Sequence, residues 1–336
     1  MHTCSSHHHI NPHIKLKMES TLFQVQSLFY QCAYQGCIDF ALSSTSNARS
    51  SDPTTVSTLL YAARSHLARS PVDPASALSL LQSLPTSEPH VQSIISLARF
   101  IQAHMQSDTD AMSREIVNLT ELLDHAVVGQ PSGQTIRCAA ATALFLDRDP
   151  EEALSTLSVT GAGGSQELEC VALGVHILLS IHRLDLAEKE YLAARTWADD
   201  SLLIQLIEAW IGLAKGGRST QQAFYVYDEL AQNPSAARTK NAVPSMIGKA
   251  TALVANGDVE GAEKQLDEAL KLDGENAEVL ANKAALAAHK GEMVEELLAQ
   301  LRKADAKHPL LMEYEGLESA FEQSASKFSL AATVEA

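Results

Sequence analysis

Apolar positions along the chain recur at intervals of three and four residues, the spacing that lines one face of a helix. Met246, Ala250, Leu253 and Val254 form one such run, and Ala262, Leu266, Ala269 and Leu270 form the next. Between them stands Asn256-Gly257-Asp258, where Gly257 can end one helix in the left-handed conformation and Asp258 can cap the following one. Asp149-Pro150-Glu151-Glu152 is a second start signal: an N-cap carboxylate, a proline that sacrifices no hydrogen bond at the first helical position, and two acids facing the positive end of the helix dipole. Asp73-Pro74 repeats it. No alternating run of Val, Ile and Thr bounded by turn residues competes for a strand. The pattern predicts helices in pairs.

The pairs keep a period. A small residue near the start of each second helix falls at Ala41, Ala77, Ala111, Ala153, Ala187, Ala223 and Ala262, at intervals of 36, 34, 42, 34, 36 and 39. Four residues later the side chain is large and apolar at Leu81, Leu157, Tyr191, Tyr227 and Leu266, while Glu115 breaks the rule. Small residues let two helices approach and the large one plugs the hairpin, as in the tetratricopeptide repeat with its period of about 34. The expected fold is all-α: a right-handed superhelical solenoid of tetratricopeptide-like hairpins. About eight repeats fill residues 18–310. Leu311, Tyr314, Leu317 and Phe321 then form one stripe, read as a capping helix over 311–328 that covers the last repeat. Residues 329–336 carry no stripe and are expected to be a disordered tail. The first seventeen residues hold His2, His7, His8, His9 and His13 without apolar period, and are expected to be a disordered extension, with Met18 a plausible initiator.

Composition narrows the partners. The chain has 336 residues, 46 % hydrophobic and 20 % charged, enough to bury a substantial core. Lys and Arg number 25 against 41 Asp and Glu, a formal charge of −16, which disfavours nucleic acid and anionic lipid as direct electrostatic partners. Five cysteines in no Cys-x-x-Cys spacing read as free thiols in a reducing compartment. The apolar stretch Val171–Ile181 is far short of the roughly 20 residues a membrane span needs. A soluble cytosolic protein is the expectation.

No motif places a catalytic group. Gly161-Ala162-Gly163-Gly164-Ser165 follows a helical stretch and lacks a Lys-Ser/Thr ending, so it reads as a linker rather than a phosphate cradle. The histidine cluster has no acidic or cysteine partner at ligand spacing. Catalytic, cofactor-binding and metal residues are therefore expected to be none. What remains is a surface: in a solenoid of hairpins the first helices line a concave face that binds segments of other proteins. Inward positions read off the repeats are Phe145, His176, Leu179, Leu206, Trp210, Leu213, Ile247, Thr251 and Val254. Most are apolar. A clamp for a peptide's terminal carboxylate would need Lys, Arg and Asn there, which disfavours a co-chaperone.

Several runs are more specific than repeat residues. They include Leu22-Phe23-Gln24-Val25-Gln26-Ser27-Leu28-Phe29-Tyr30, Leu168-Glu169-Cys170, Leu184-Asp185-Leu186-Ala187-Glu188-Lys189, Ala209-Trp210 with Gly216-Gly217, and His308-Pro309-Leu310 with Glu313-Tyr314. In these the chain resembles the epsilon subunits of coatomer, which coats COPI vesicles between Golgi and endoplasmic reticulum. The resemblance spans about residues 18–328; it departs at Ala237–Pro244 and has no counterpart for the histidine-rich head. It implies a non-enzymatic coat subunit without cofactor that binds and stabilises the C-terminal region of the alpha subunit, and through it the other subunits. Such a protein would work in Golgi-to-endoplasmic-reticulum retrograde and intra-Golgi transport. It would lie in the cytoplasm and on the cytoplasmic side of Golgi and COPI vesicle membranes, held peripherally by the assembled coat. The rival readings are a free cytosolic tetratricopeptide adaptor or co-chaperone, and an enzyme with a site built across helices.

Overall fold

A computed structural model describes residues 12–161, 164–233 and 236–328, with side chains from Ser20 onward. Seventeen α-helices run through the described residues, which hold no strand. They pair as α1 (Pro12–Tyr30) with α2 (Tyr34–Thr45), α3 (Pro53–Ala68) with α4 (Pro74–Leu81), and α5 (Pro89–Gln106) with α6 (Thr109–Leu122). Next come α7 (Pro131–Leu146) with α8 (Pro150–Thr156), α9 (Leu168–Ser180) with α10 (Leu184–Ala198), and α11 (Leu202–Lys215) with α12 (Ser219–Gln232). The last pairs are α13 (Val243–Ala255) with α14 (Val259–Leu272) and α15 (Ala277–Lys290) with α16 (Glu295–Ala304), before a single α17 (Pro309–Ala325). The fold is an all-α, tetratricopeptide-like solenoid.

Local chemistry sets the boundaries. Asp52, Asp73, Asp108, Asp149 and Asp258 each accept a hydrogen bond from the backbone N–H three residues on, at 2.9–3.0 Å. Each cap satisfies a donor that the first helical turn leaves orphaned, and is worth about 1 kcal/mol. Prolines open α3, α4, α5, α7 and α8, where a missing N–H costs nothing. At the divergent stretch Ala237–Pro244 a short 3-10 turn, Lys240–Ala242, leads straight into α13.

The period then becomes packing. Ala41, Ala77, Ala153, Ala187, Ala223 and Ala262 are wholly buried where the two helices of a hairpin meet. Ala111, in the unit that Glu115 interrupts, is only half-buried. Leu81, Leu157, Tyr191, Tyr227 and Leu266 are buried beside them. Gly174 of α9 shows how close the approach is: a Cβ there would lie 2.5 Å from a Val159 methyl. The core is thus a spine of linked clusters, each hairpin burying its face against its neighbours.

The two ends differ from expectation. The histidine-rich extension expected over 1–17 lies outside the described residues as far as Asn11, but α1 already begins at Pro12. The tail expected over 329–336 also lies outside them. The capping stripe is corrected: α17 buries only Leu311, with Leu310 packed partly beside it. Tyr314, Leu317 and Phe321 are 51, 71 and 69 % exposed. The stripe is real, but it does not cover the last repeat, because α17 turns away after its first turn.

Replacing a wholly buried alanine at a hairpin seam should force the helices apart. Ala262→Leu is expected to cost about 1–3 kcal/mol, while Lys264→Gln on the exposed side of the same helix should stay within about 0.5 kcal/mol. Denaturant melts of the two variants check this, and equal tolerance would refute the seam.

Candidate partner-binding channel

The first helices of successive hairpins form the inner wall, but the concave face is not an open groove. The N-terminal hairpin folds across it. Its turn, Gln31-Cys32-Ala33, is held by Cys32 N–H to Phe29 O at 3.0 Å and Ala33 N–H to Leu28 O at 2.9 Å, with Cys32 left-handed at φ 59°. That turn aims Tyr30 and Tyr34 at α3, α9 and α11.

A buried carboxylate fastens it. Glu169, the one charged residue in α9, accepts hydrogen bonds from Tyr30 at 2.7 Å and from Tyr61, and pairs with Arg64 at 2.9 Å. Gln26 of α1 donates to Tyr61 Oη at 3.0 Å. The Arg64 guanidinium also lies over the rings of Phe29 (4.6 Å) and Tyr61 (5.0 Å), a cation–π arrangement that favours keeping the charge there. Burial pushes the Glu169 carboxyl up, but the Arg64 charge and the hydrogen bonds from Tyr61, Tyr30 and Arg64 outweigh it and hold its pKa below the ordinary value. Burial beside this carboxylate raises the Tyr30 and Tyr61 hydroxyls, so both remain donors.

The opposite edge also meets. Ser70, between α3 and α4, hydrogen-bonds Asp305, between α16 and α17, and Lys307 Nζ donates to Met105 O at 3.2 Å. Gly36 of α2 sits so close to Asn241 that an added Cβ would overlap its side chain. The solenoid closes on itself.

Two cavities remain inside, sharing Tyr30, Cys32, Tyr34, Ala68 and Trp210. The smaller, about 370 Å³, is mainly apolar, walled by Leu97, Ile101, Leu173 and Leu203, with His176 at its side. The larger, about 620 Å³, runs past Leu206, Tyr227 and Ile247 to Glu278. Its two cations are already partnered: Arg69 donates to Gln35 at 3.0 Å and Lys240 pairs with Asp273 at 2.8 Å. Solvent reaches the His176 ring, yet the surrounding walls desolvate it and lower its pKa below the usual histidine value.

Of the nine expected residues, His176, Leu206, Trp210 and Ile247 line these cavities. Phe145 meets His176 edge to face at 6.2 Å, outside both. Leu179, Leu213 and Val254 pack partly into the hairpin core, and Thr251 spends its hydroxyl on Ile247 O at 3.0 Å. Sequence reasoning missed Tyr30, Arg64 and Glu169. The one available signal was an acid alone in an otherwise apolar helix. Among the described residues no group of three or more His, Cys, Asp or Glu is placed to hold a metal ion, and Cys37, Cys138 and Cys170 are buried free thiols.

A family model described as coatomer epsilon subunit matches residues 18–329. The chain is 30 % identical over 315 residues to coatomer subunit epsilon-1 of Arabidopsis thaliana, covering 92 % of this chain and 97 % of the relative. It is 32 % identical over 232 residues to coatomer subunit epsilon-2 of Oryza sativa subsp. indica, covering 69 % and 74 %. Coatomer subunit epsilon of Caenorhabditis elegans is 24 % identical over 313 residues, covering 92 % and 99 %. Among solved structures, the Cut9–Hcn1 hetero-tetramer of APC/C superposes with a TM-score of 0.52 at 12 % identity, covering 87 % of this chain and 54 % of that one. A tetratricopeptide repeat protein from Parabacteroides merdae ATCC 43184 gives 0.51 at 11 %, covering 82 % and 96 %. At such identities these two speak for the fold alone.

The fastening at Glu169 has a pH signature. A carboxyl whose folded pKa is lowered contributes stability above its unfolded pKa, near 4.3, and loses it as pH falls through the folded value. Glu169→Gln should cost about 3–5 kcal/mol at neutral pH by leaving Arg64 unpaired, and should flatten the loss of stability below about pH 4.3. Melts from pH 7 downward test both; parallel curves for variant and parent would show that the carboxylate does not hold the hairpin.

Proposed function

We propose, because the chain belongs to the coatomer epsilon subunit family, that its channel seats a partner segment inside the coat. By that membership the chain is a component of coatomer and associates with other coat subunits. Family and fold together indicate a structural role. In the fuller reading the segment comes from the C-terminal region of the alpha subunit, which the ring stabilises and through which it reaches the remaining subunits. The work done is Golgi-to-endoplasmic-reticulum retrograde and intra-Golgi transport. The protein then meets the membrane peripherally, from the cytoplasmic side and through the assembled coat. No described helix is long and apolar enough to cross a membrane.

The observation that carries this reading is the chemistry of the channel. Trp210 is half-buried and borders both cavities, with Ile247 and Leu206 beside it. An indole there offers a large rigid contact area, the profile of a binding hot spot, while its N–H is turned to the Tyr227 hydroxyl. The competing adaptor would grip a terminal carboxylate with free cations, but Arg69 and Lys240 are engaged within the chain. The channel suits the flank of a folded or extended segment better than a charged chain end.

Titration calorimetry of the alpha subunit's C-terminal region against this chain tests the assignment. Trp210→Ala should weaken binding by about 2 kcal/mol or more, roughly 30-fold. Ile247→Asp, at a half-buried channel position, should weaken it similarly, with circular dichroism confirming that both variants fold. The partner should also raise the melting temperature, since it binds only the folded ring. Undiminished affinity in both variants would move the interface elsewhere, and tight binding of carboxylate-ended peptides instead would favour the adaptor.

A further inference from the structure

Once α17 leaves the last hairpin it presents an apolar stripe that nothing in the described chain covers. Beyond Leu311 every described residue is exposed, through Phe328. At 100° per residue Leu310, Tyr314, Leu317 and Phe321 fall within an arc of about 60°, a narrow seam of the kind one helix offers another. The half-buried Leu310, packed on the last hairpin beside the buried Leu311 of the adjoining face, fixes how the rest of the seam projects. Three large apolar side chains 51–71 % exposed along one helix line form a contiguous patch rather than scattered exposure. Their borders are acidic. Glu313 and Glu318 stand roughly 40° outside the seam on its two sides, and Glu315 and Glu322 follow Glu318. The helix holds no Lys or Arg.

Charge decides what can lie there. A second copy would set the same acids against these, within a chain whose formal charge is −16. The eight residues from 329 to 336 contain no cation and end near another acid, Glu335. What complements an apolar seam with acidic borders is an apolar seam with basic ones. We propose that the Tyr314–Leu317–Phe321 stripe seats an amphipathic helix, bordered by Lys and Arg, of another chain of the coat. The proposal rests on membership of the coat and is independent of what fills the channel. Helix-in-groove recognition of this kind reads anchors at three- and four-residue spacing, which is the spacing here.

Site-specific photo-crosslinking in purified coatomer containing the full chain tests it. A photoreactive residue at Leu317 should label one segment of another subunit, with an apolar helical period and Lys or Arg at its borders. The same residue at Met312, about 170° from the seam centre and 55 % exposed, should not. In parallel, Leu317→Asp combined with Phe321→Asp should leave the isolated chain's melt unchanged and remove the crosslinked contact, because neither side chain is packed within the chain. Glu313→Lys with Glu318→Lys should weaken the same contact at least about tenfold, and by less as salt rises from about 0.05 M to about 0.5 M. Labelling of a second copy, of this chain's own termini, or of a segment without cations would overturn the proposal. So would an unchanged contact in both double variants.

Discussion

A helical hairpin can hide its apolar face only against the hairpin before it and the one after, so a stack of them always ends twice. Everything distinctive in this molecule follows from how the two ends are treated. At the N-terminal end the first hairpin bends inward and spends its turn on Glu169, a carboxylate 139 residues from Tyr30. At the other end α17 docks by one turn and departs. One terminus becomes part of the channel wall, and the other becomes a surface.

The two seams of the ring are unequal. On one side a buried ion pair carries two tyrosine hydrogen bonds and a guanidinium stacked over rings. Removing one partner of such a pair costs about 3–5 kcal/mol, because the survivor is left charged and dry. On the other, Ser70 with Asp305 and Lys307 with Met105 O are isolated hydrogen bonds to charged groups, each worth about 1.5–3 kcal/mol at most. The ring therefore yields first at the α16–α17 edge.

What the sequence made legible is what neighbouring residues decide. Aspartate caps, N1 prolines and the alanine that recurs near every thirty-six residues are short-range features, and they reappear as caps and buried seams, the half-buried Ala111 excepted. The inward face was readable in part: Trp210, His176, Leu206 and Ile247 do border the channel, while Leu179 and Leu213, one turn further along their helices, and Val254, two turns past Ile247, pack between hairpins. A helical period gives a residue's face to within about 100°, too coarse to separate a channel wall from the seam beside it. Closure was illegible for a different reason. Nothing local links Tyr30 to Glu169 or Ser70 to Asp305, 235 residues apart. Only the oddity of a lone acid in Leu-Glu-Cys-Val-Ala-Leu hinted that something must neutralise it.

The misreading of α17 is the more instructive case, because the pattern was right and the inference from it was not. A stripe at three- and four-residue spacing states that a face wants to be dry; it says nothing about which chain dries it. The acids on either side are what distinguish the two outcomes. In α14, Ala262, Leu266 and Ala269 are buried within the chain, and Lys240 pairs with Asp273 just past that helix's C-terminus while Lys283 and Lys290 answer its own Asp267 and Glu263. Among the described residues, Glu315 alone of the α17 acids finds a cation, Arg302 on the neighbouring helix, and the acids nearest the seam have no basic residue opposite them. An internal face comes with its counter-charges because both sides were shaped in one chain. A face whose counter-charges are missing is written for a second one.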